Sequence, residues 1–244
     1  GSIYKYANIA SMKSHGIEFT ISSKNIQSKD FSWNTDFIFS KAKNEVTELN
    51  ARSSVMDLVS GYGFARQGYP VRGLFSIPFV GLSSNGIPMY NINGKITSTD
   101  IDFQTRDNID YLKYEGPTDP TITGSFGNIF TYKAFKLNVF ITYSFGNVVR
   151  LNPCFNYQYS DLSSMPREFK NRWTVPGDEK HTNIPAIISK RQYEDNKDLM
   201  YAYNAYNYST ERIAKGDFIR MKEISLSYDF PKSWITSAKI SNLS

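Results

Sequence analysis

The residue types that most often carry chemistry are few and scattered in this chain. The two histidines, His15 and His181, and the single cysteine, Cys154, lie in separate segments of the 244 residues. Their separation gives no support to a histidine-based catalytic triad or to a histidine or cysteine zinc site. No zinc-protease, phosphate-binding or dinucleotide-binding motif is present. The sequence therefore predicts no catalytic residue, no cofactor and no metal centre, and the chain is not expected to be an enzyme.

Four carboxylates fall in the polar stretch that follows Asn93 and reaches about residue 119. They are Asp100, Asp102, Asp107 and Asp110. Calcium binding is one reading, but the full spaced ligand set of a calcium loop is missing, so solvated loop carboxylates are favoured. A glycoside hydrolase is a more distant alternative, because it requires two juxtaposed carboxylates and juxtaposition cannot be inferred here. Asn207 begins a glycosylation sequon in form only.

A second group of candidates is aromatic and lies in the aperiodic segment 151–213. Five of its rings are candidate contacts for a sugar ring, a peptide or a protein partner: Tyr157, Tyr159, Trp173, Tyr201 and Tyr203. Aromatic faces offer contact area at small entropic cost. The competing interpretation, favoured for any single residue, is that the ring only packs its own loop.

Composition excludes several classes of protein. The net charge of +5 comes from Lys and Arg scattered among acids, whereas nucleic-acid binding needs a clustered basic surface. No run approaches the roughly 18 apolar residues of a transmembrane helix. Mean hydropathy is −0.43 although 15% of residues are aromatic, a combination that a β-barrel with a polar lumen and wet loops tolerates.

Two strands joined by a short turn are predicted over residues 121–147. In the second strand apolar residues occupy every other position from Phe135 to Phe145, interrupted on the polar side only by Phe140. At roughly 3.3 Å per residue and a tilt near 40°, this run rises about 25 Å, the height of the apolar band of an outer-membrane barrel. We therefore expect Leu137, Val139 and Ile141 to face lipid.

The same alternation recurs elsewhere in the chain. Residues 12–26 and 31–40 predict a hairpin, and residues 218–230 predict a strand with Ile224 and Leu226 facing lipid. Residues 69–82 and 87–92 are further strand candidates, and a last strand is expected from Ile235 to the end. That makes eight strand candidates.

Connections between these candidates alternate between short and long. Short turns on one side and long loops on the other are typical of outer-membrane barrels, with the short turns periplasmic. Aromatic residues beside the short turns, among them Phe31, Trp33, Tyr132 and Phe135, predict a girdle at the headgroups. The predicted fold class is all-β, with antiparallel strands of a large barrel and long extracellular loops. A soluble β-sandwich whose alternating faces pack together is the alternative.

Several motifs also resemble a known family. Asn8-Ile9-Ala10-Ser11-Met12-Lys13-Ser14-His15-Gly16-Ile17-Glu18 resembles a segment N-I-G-x-M-x-N-x-G-I-E, with Ala10 where Gly is usual. Arg172-Trp173-Thr174-Val175-Pro176-Gly177-Asp178 resembles R-W-x-x-P-G-D. Residues 216–228 resemble G-D-F-I-R-L-K-N-I-S-L-S-Y. These motifs, in this order, are similar to those of the SusC/RagA group of TonB-dependent outer-membrane transporters of Bacteroidetes.

The resemblance implies that residues 1–244 are a carboxy-terminal section of a barrel of about 22 strands, without its plug and final strands. It implies import of glycans or peptides across the outer membrane, with a SusD-like surface lipoprotein and the TonB complex as partners. Outer-membrane lipid would be a further contact, and nucleic acid is not expected. A soluble all-β binding module of the cell surface, binding carbohydrate, remains the alternative function.

Overall fold

The computed structural model describes residues 9–155 and 164–231. In chain order the strands are β1 Ala10–Gln27, β2 Phe31–Leu49, β3 Gly73–Ser76, β4 Phe79–Leu82, β5 Pro88–Ile92, β6 Lys95–Thr97, β7 Lys113–Pro117, β8 Ile122–Tyr132, β9 Phe135–Phe145, β10 Val148–Arg150, β11 Ile213–Lys215 and β12 Phe218–Tyr228. The α-helices are α1 Val55–Val59, α2 Lys190–Asp195 and α3 Leu199–Asn207. Within the described ranges, no helix combines the length and apolar character needed to cross a membrane.

The chain divides into two compact units. The sheet unit comprises residues 14–43, 120–146 and 216–244, and the loop unit comprises residues 1–13, 44–119 and 147–215. The sheet unit is built from long strands, and the loop unit is built from short strands and helices.

The sheet unit contains one antiparallel sheet of five strands in the order β1-β2-β8-β9-β12. Both predicted hairpins, β1 with β2 and β8 with β9, are confirmed. The turn between β8 and β9 lies at the predicted place, with Lys133 at a φ of 53°, a left-handed conformation that tight hairpin turns require. The predicted strand at 218–230 is also confirmed as β12, which pairs with β9 through one register shift between Met221 and Glu223.

Residues 69–82 and 87–92 do not form strands of this sheet, so the short turn predicted between them does not join two barrel strands. They supply β3, β4 and β5, which belong to small sheets of two or three strands in the loop unit. The reason is burial on both sides, since Leu74, Phe75 and Ile77 are all 0% exposed. The strand expected from Ile235 lies outside the described residues.

The first core of the loop unit gathers around α1. Val55, Leu58 and Val59 are fully buried there and pack with Phe75 and Tyr90. Helix α1 begins at a capping box, in which the Ser54 hydroxyl accepts from the Asp57 amide while the Asp57 carboxylate accepts from the Ser54 amide. The predicted loop after residue 46 is thus ordered by a short capped helix, and β2 itself continues to Leu49.

The second core of the loop unit forms within the segment expected to be aperiodic. Phe155, Phe169, Tyr203 and Tyr206 pack together with Leu199 of α3. Phe155 contacts Phe169, Tyr203 and Tyr206 with ring centroids 4.7, 5.4 and 5.0 Å apart. The segment is therefore ordered by aromatic packing, which is the interpretation favoured for its rings in the sequence.

Contacts between residues 50–119 and 147–215 join the two cores into one body. The Tyr90 hydroxyl donates to the Ala202 carbonyl at 2.7 Å, and Phe79 packs against both cores. Backbone bonds add to this, because the Ile77 amide donates to the Tyr208 carbonyl at 3.0 Å. Residues 50–119 and 147–215, which the sequence predicts largely as separate loops, therefore share one hydrophobic interior.

Arg150 links these two segments from inside the loop unit. Its guanidinium donates to the carbonyls of Phe75 at 2.6 Å and Ser209 at 3.1 Å. Burial lowers the pKa of Arg150 to about 10, with the nearby Glu115 carboxylate opposing that shift. The arginine stays charged at neutral pH and binds two segments of backbone at once.

Candidate functional site

One face of the sheet unit carries its apolar side chains in rows. Paired residues of an antiparallel sheet project to the same face. Phe31, Tyr132, Phe135 and Tyr228 are successive register partners on β2, β8, β9 and β12, so they form one row of four rings beside the two short turns. The Phe135 and Tyr228 ring centroids are 4.6 Å apart. This row occupies the place where the sequence predicts an aromatic girdle.

Above the row, the predicted lipid-facing residues lie together on the same face. Leu137 pairs with Leu226, and Val139 pairs with Ile224, while Ile141 pairs with Met221. Leu226 and Ile224 are 69% and 68% exposed. We call the face that holds these residues and the aromatic row the apolar face.

A second group of rings lies towards the other end of the apolar face. Phe37 contacts Phe126 and Tyr143, with ring centroids 6.4 Å apart in both pairs. The Tyr143 hydroxyl donates to the Ile38 carbonyl at 2.9 Å, crossing the intervening strand above Gly124. A side chain at Gly124 would occupy the position of the Tyr143 ring. Aromatic residues thus lie near both ends of the apolar face.

One polar side chain on the apolar face has its hydrogen bonds satisfied within the sheet. Asn128 is 7% exposed, and its carbonyl oxygen accepts from the Trp33 indole at 2.9 Å and from the Thr35 hydroxyl at 2.8 Å. The Asn25 amide in turn donates to Thr35 at 2.7 Å. Paired in this way, Asn128 avoids the cost of an unsatisfied polar group in an apolar setting.

The opposite face of the sheet is polar. Ser22 donates to Asp36 at 2.6 Å, and Ser40 donates to Glu18 at 3.0 Å. Towards the β12 edge of the same face, Asn138 donates to Glu223 at 2.9 Å. The two faces therefore suit different media: a hydrocarbon environment on one side and a hydrated one on the other.

In the loop unit, Trp173 occupies a structural position. Its indole N–H donates to Glu179 at 3.1 Å, and its amide donates to the Ile184 carbonyl at 2.9 Å. Its ring lies against Gly86, where an added Cβ would be 2.5 Å away. The ring is half-buried, and its packing agrees with the interpretation favoured for this residue.

The loop around Trp173 is closed by two carboxylates. Asp178 accepts from the amides of Thr174 at 2.9 Å and Val175 at 3.1 Å. These bonds hold the pKa of Asp178 below its usual range. Glu179 accepts from the Gly177 amide at 2.8 Å as well as from Trp173. The pKa of Glu179 is lowered mainly by a hydrogen bond from its own backbone amide, and to a smaller extent by the bond from Trp173. The R-W-x-x-P-G-D segment is therefore an ordered loop held by hydrogen bonds to its own backbone and to adjacent residues.

The remaining aromatic candidates lie apart from one another. Tyr203 is 1% exposed and donates to the Ala186 carbonyl at 2.6 Å, so its ring is enclosed in the second core and presents no face to a ligand. Tyr201 is 40% exposed on α3. Tyr157 and Tyr159 lie outside the described residues. The structure thus leaves Tyr201 as an accessible ring and makes Tyr203 a packing residue.

Asn207, which begins the formal glycosylation sequon, is a buried structural residue. It is 5% exposed. Its side-chain oxygen accepts from the amides of Cys154 and Phe155, both at 3.0 Å, and its nitrogen donates to the Phe155 carbonyl at 2.9 Å. The Asn207 side chain thus bonds to the backbone of residues 154 and 155 as a neighbouring strand would. No sequence pattern predicts this role.

Three of the four loop carboxylates form separate ion pairs. Asp107 lies 2.6 Å from Arg52, Asp110 lies 2.6 Å from Arg66, and Asp100 lies 3.2 Å from Lys95. Asp102 instead accepts from the Gln104 amide at 2.8 Å, and this bond is the largest cause of its lowered pKa. In the part of the chain that the structure describes, no three His, Cys, Asp or Glu residues gather as metal ligands.

A polar cleft of about 270 Å³ opens beside Asp100 and Asp102. Its lining comes from the end of β5 and from the segment before β7: Ile92, Asp100, Asp102, Thr105, Asn108 and Tyr111. Sequence reasoning considered its two carboxylates but missed Thr105, Asn108 and Tyr111. These three residues join the two carboxylates through the folding of the segment, and no sequence pattern indicated them.

Comparisons with known proteins find relatives among the TonB-dependent receptors. No protein-family model matches the chain. The TonB-dependent receptor P3 of Formosa agariphila is 25% identical over 258 residues, which cover 93% of this chain and 23% of that receptor. The TonB-dependent receptor SusC of Bacteroides thetaiotaomicron is 26% identical over 237 residues, which cover 94% of this chain and 22% of SusC.

Solved structures give the fold. A chain of the RagAB peptide importer in its closed-closed state has a TM-score of 0.67 at 22% identity, covering 95% of this chain and 24% of that one. A chain of the RagAB peptide transporter has a TM-score of 0.69 at 21% identity, covering 97% of this chain and 24% of that one. The chain spans less than a quarter of each curated relative cited above. The predicted fold class, antiparallel strands of a large barrel, is confirmed, as is the resemblance of this chain to the SusC/RagA group of TonB-dependent receptors.

Proposed function

We propose that this chain forms part of the wall and extracellular loops of an outer-membrane nutrient importer energised through TonB. The observation that carries the proposal is the register of the sheet unit, which places Leu137, Val139 and Ile141 on one face with Ile224 and Leu226. A face of this kind is costly in water and stable in hydrocarbon. Relatives named as TonB-dependent receptors support the same conclusion.

The dimensions of the apolar face fit the bilayer. From Phe135 to Phe145, β9 rises about 33 Å along its own axis, which a tilt near 40° reduces to about 25 Å. Aromatic side chains near both ends of this span match the preference of amphipathic rings for the headgroup regions. A soluble binding module would have to cover this face, yet Ile224 and Leu226 remain more than two-thirds exposed.

The proposed protein binds and moves its substrate without chemical change. Energy would reach it through the TonB complex, and a SusD-like lipoprotein would be its surface partner. The substrate class would be glycans or peptides, and residues 1–244 would supply a carboxy-terminal section of the barrel. In the loop unit, the exposed Tyr201 ring and the rim of Trp173 are the proposed contacts with substrate or lipoprotein.

Paired arginine substitutions on β9 test the membrane placement. Val139→Arg puts a charge on the apolar face. Asn138→Arg puts the same charge on the polar face, one residue earlier in β9. An arginine near the bilayer midplane costs about 2 to 4 kcal/mol in barrels, so Val139→Arg should reduce the amount of heat-modifiable, folded protein in the outer membrane. Asn138→Arg should leave most of it assembled. Equal assembly of the two variants would contradict the proposal.

Co-purification tests the partner. The protein is extracted from the outer membrane in mild detergent, and a lipoprotein encoded beside it is sought in the eluate. Recovery of a stoichiometric lipoprotein supports the SusD-like partner. Nutrient import by cells that lack the lipoprotein, at the rate of cells that have it, would contradict the proposed SusD-like partner.

A further inference from the structure

The end of the apolar face that lies opposite the aromatic row carries basic side chains. Lys41 of β2 pairs with Ile122 of β8, which pairs with Phe145 of β9, so these three residues form the last row of the face. Lys43 projects to the same side, two positions further along β2. Both lysines are exposed. The apolar face therefore ends in cations that stand directly beside apolar side chains.

Strand β1 brings a histidine to the same place. Gly16 lies opposite Ala42, since a Cβ added to Gly16 would be 3.3 Å from the Ala42 Cβ. The Ser14 hydroxyl donates to the Lys43 carbonyl at 3.3 Å, which agrees with this register. By alternation, His15 then lies beside Lys43 on the side of the apolar face, and its imidazole offers an N–H donor. We call Lys41, Lys43 and His15 the basic rim.

The distance from the basic rim to the aromatic row matches the thickness of the apolar band of a barrel. Lys41 follows Phe31 by ten positions on β2. Ten positions are about 33 Å of strand, which a tilt near 40° reduces to about 25 Å, and Lys43 lies about 5 Å further out. At this level the hydrocarbon ends and the lipid headgroups begin. A lysine there can lay its apolar stem along the face while its ammonium group reaches a phosphate.

Carboxylates do not neutralise the two lysines. Within residues 9–155 and 164–231, neither Lys41 nor Lys43 takes part in an ion pair. Glu18 lies on the polar face, where it accepts from a serine, and Asp217 accepts from a backbone amide. Glu45 follows Lys43 on β2 and is further from the apolar face. The basic rim is therefore a positively charged surface that continues an apolar one.

We propose that the basic rim binds the phosphate groups of an anionic lipid in the outer leaflet, with Lys41 and Lys43 as its charged contacts. The inference rests on the proposed function, which puts the short turns in the periplasm and the rim at the outer surface. Its acyl chains would lie along Ile122 and Phe145 while its phosphates meet the ammonium groups, since lysines beside a membrane attract anionic headgroups. Free phosphate lacks the chains, so the rim is assigned to a lipid.

Titration of the whole protein in mild detergent with fluorescent, bisphosphorylated lipid A tests the basic rim. The comparison probes are the same lipid without its phosphate groups and inorganic phosphate. We expect the bisphosphorylated lipid to bind about tenfold more tightly than the dephosphorylated one, and inorganic phosphate not to displace it at equal ionic strength. The double variant Lys41→Gln with Lys43→Gln should weaken this binding about tenfold.

Two double variants serve as controls. Lys24→Gln with Lys136→Gln removes the same charge from the polar face and should bind the lipid like the parent, because Lys136 pairs with Ser227 on that face and Lys24 alternates with the polar-face Ser22. Replacing both rim lysines by arginine keeps the charge and should also preserve binding. Heat modifiability shows that each variant is folded, and Lys43→Gln alone serves if the double glutamine variant does not assemble.

Four results would overturn the proposal. They are unchanged binding in the glutamine variant of the rim, an equal loss in the polar-face control, equal affinity for the dephosphorylated lipid, and displacement by inorganic phosphate. If one of these is found while Val139→Arg still blocks assembly, only this inference falls and the proposed function stands.

Discussion

Tyr143 on β9 and Ile38 on β2 are joined across the strand that separates them. The Tyr143 hydroxyl donates to the Ile38 carbonyl at 2.9 Å, and the ring can reach it because Gly124 leaves the intervening position of β8 open. A tyrosine, a glycine and a backbone carbonyl therefore tie three neighbouring strands together. The bond also satisfies a hydroxyl that would otherwise be costly within an apolar face.

Gly124→Ala should destabilise the sheet. The added methyl group overlaps the Tyr143 hydroxyl and the Ile38 carbonyl, so the ring must leave and the hydrogen bond is lost. Overpacking together with a lost hydrogen bond predicts a loss of about 2 to 3 kcal/mol in the free energy of unfolding. Urea unfolding of the protein in lipid vesicles measures it.

Two controls separate the causes. Tyr143→Phe removes only the hydrogen bond and should cost about 1 kcal/mol. Gly127→Ala, on the same strand, meets the Phe140 ring at 3.3 Å and should cost less than Gly124→Ala. A Gly124→Ala variant as stable as the parent would show that the contact across the sheet is absent.

Asn207→Ala should unfold the second core of the loop unit first. The substitution leaves the amides of Cys154 and Phe155 and the Phe155 carbonyl buried without their partner. Unsatisfied buried groups cost about 1 to 3 kcal/mol each, and partial relaxation brings the expected total to about 3 kcal/mol. Limited proteolysis within residues 147–215 reports the loss.

Asn204→Ala on the same helix is the matched control, because Asn204 is exposed. It should leave the protease resistance unchanged. Similar cleavage rates for the Asn204→Ala and Asn207→Ala variants would contradict the role assigned to Asn207.

Acid should loosen the loop around Trp173. The pKa of Asp178 is lowered by the amides of Thr174 and Val175, and a carboxylate with a lowered folded-state pKa stabilises the fold above its unfolded pKa. That contribution is lost as the pH falls through the folded value, below about 4. The NMR signal of the Trp173 indole N–H should therefore shift and broaden in this range.

Asp178→Asn removes the titrating group while keeping an acceptor oxygen. The part of the pH dependence that belongs to Asp178 should disappear, leaving the part from Glu179, which accepts from the indole itself. A Trp173 signal that titrates identically in both proteins would exclude Asp178 as the cause.

Gly86→Ala should displace Trp173. Gly86 has a φ of 73°, and an added Cβ would lie 2.5 Å from the indole ring. Gly94→Ala isolates the backbone cost, since Gly94 also has a positive φ, of 86°, with no atom within 4 Å of the added Cβ. Gly86→Ala should cost at least about 1 kcal/mol more in thermal unfolding. Equal losses would mean that Trp173 does not pack on Gly86.

The long strands could be predicted because their physics is local. Alternation from Phe135 to Phe145 fixes which side chains share a face, and the turn at Lys133 fixes the register. The same reasoning failed for Leu74 and Phe75, which lie in a short strand buried on both faces and so show no alternation.

The interior of the loop unit could not be predicted because its contacts are distant in sequence. Nothing local shows that Tyr90 bonds to Ala202 or that Arg150 binds the carbonyl of Phe75. The candidate site followed the same division: Asp100 and Asp102 were identified from their type, whereas Tyr111 joined them only through folding.

Spin labels at two adjacent positions test whether the apolar face of the sheet contacts lipid. Ile141→Cys and Thr142→Cys place a nitroxide on opposite faces of β9. The native Cys154 is buried, and burial raises its pKa to about 12, so it stays unlabelled. In membranes, the label at 141 should collide far more with dissolved oxygen than with a water-soluble nickel chelate, and the label at 142 should show a lower ratio. Exclusion of both relaxants at 141, as in a soluble sandwich core, would show that the apolar face does not contact lipid. A reversed order of the two ratios would show the same.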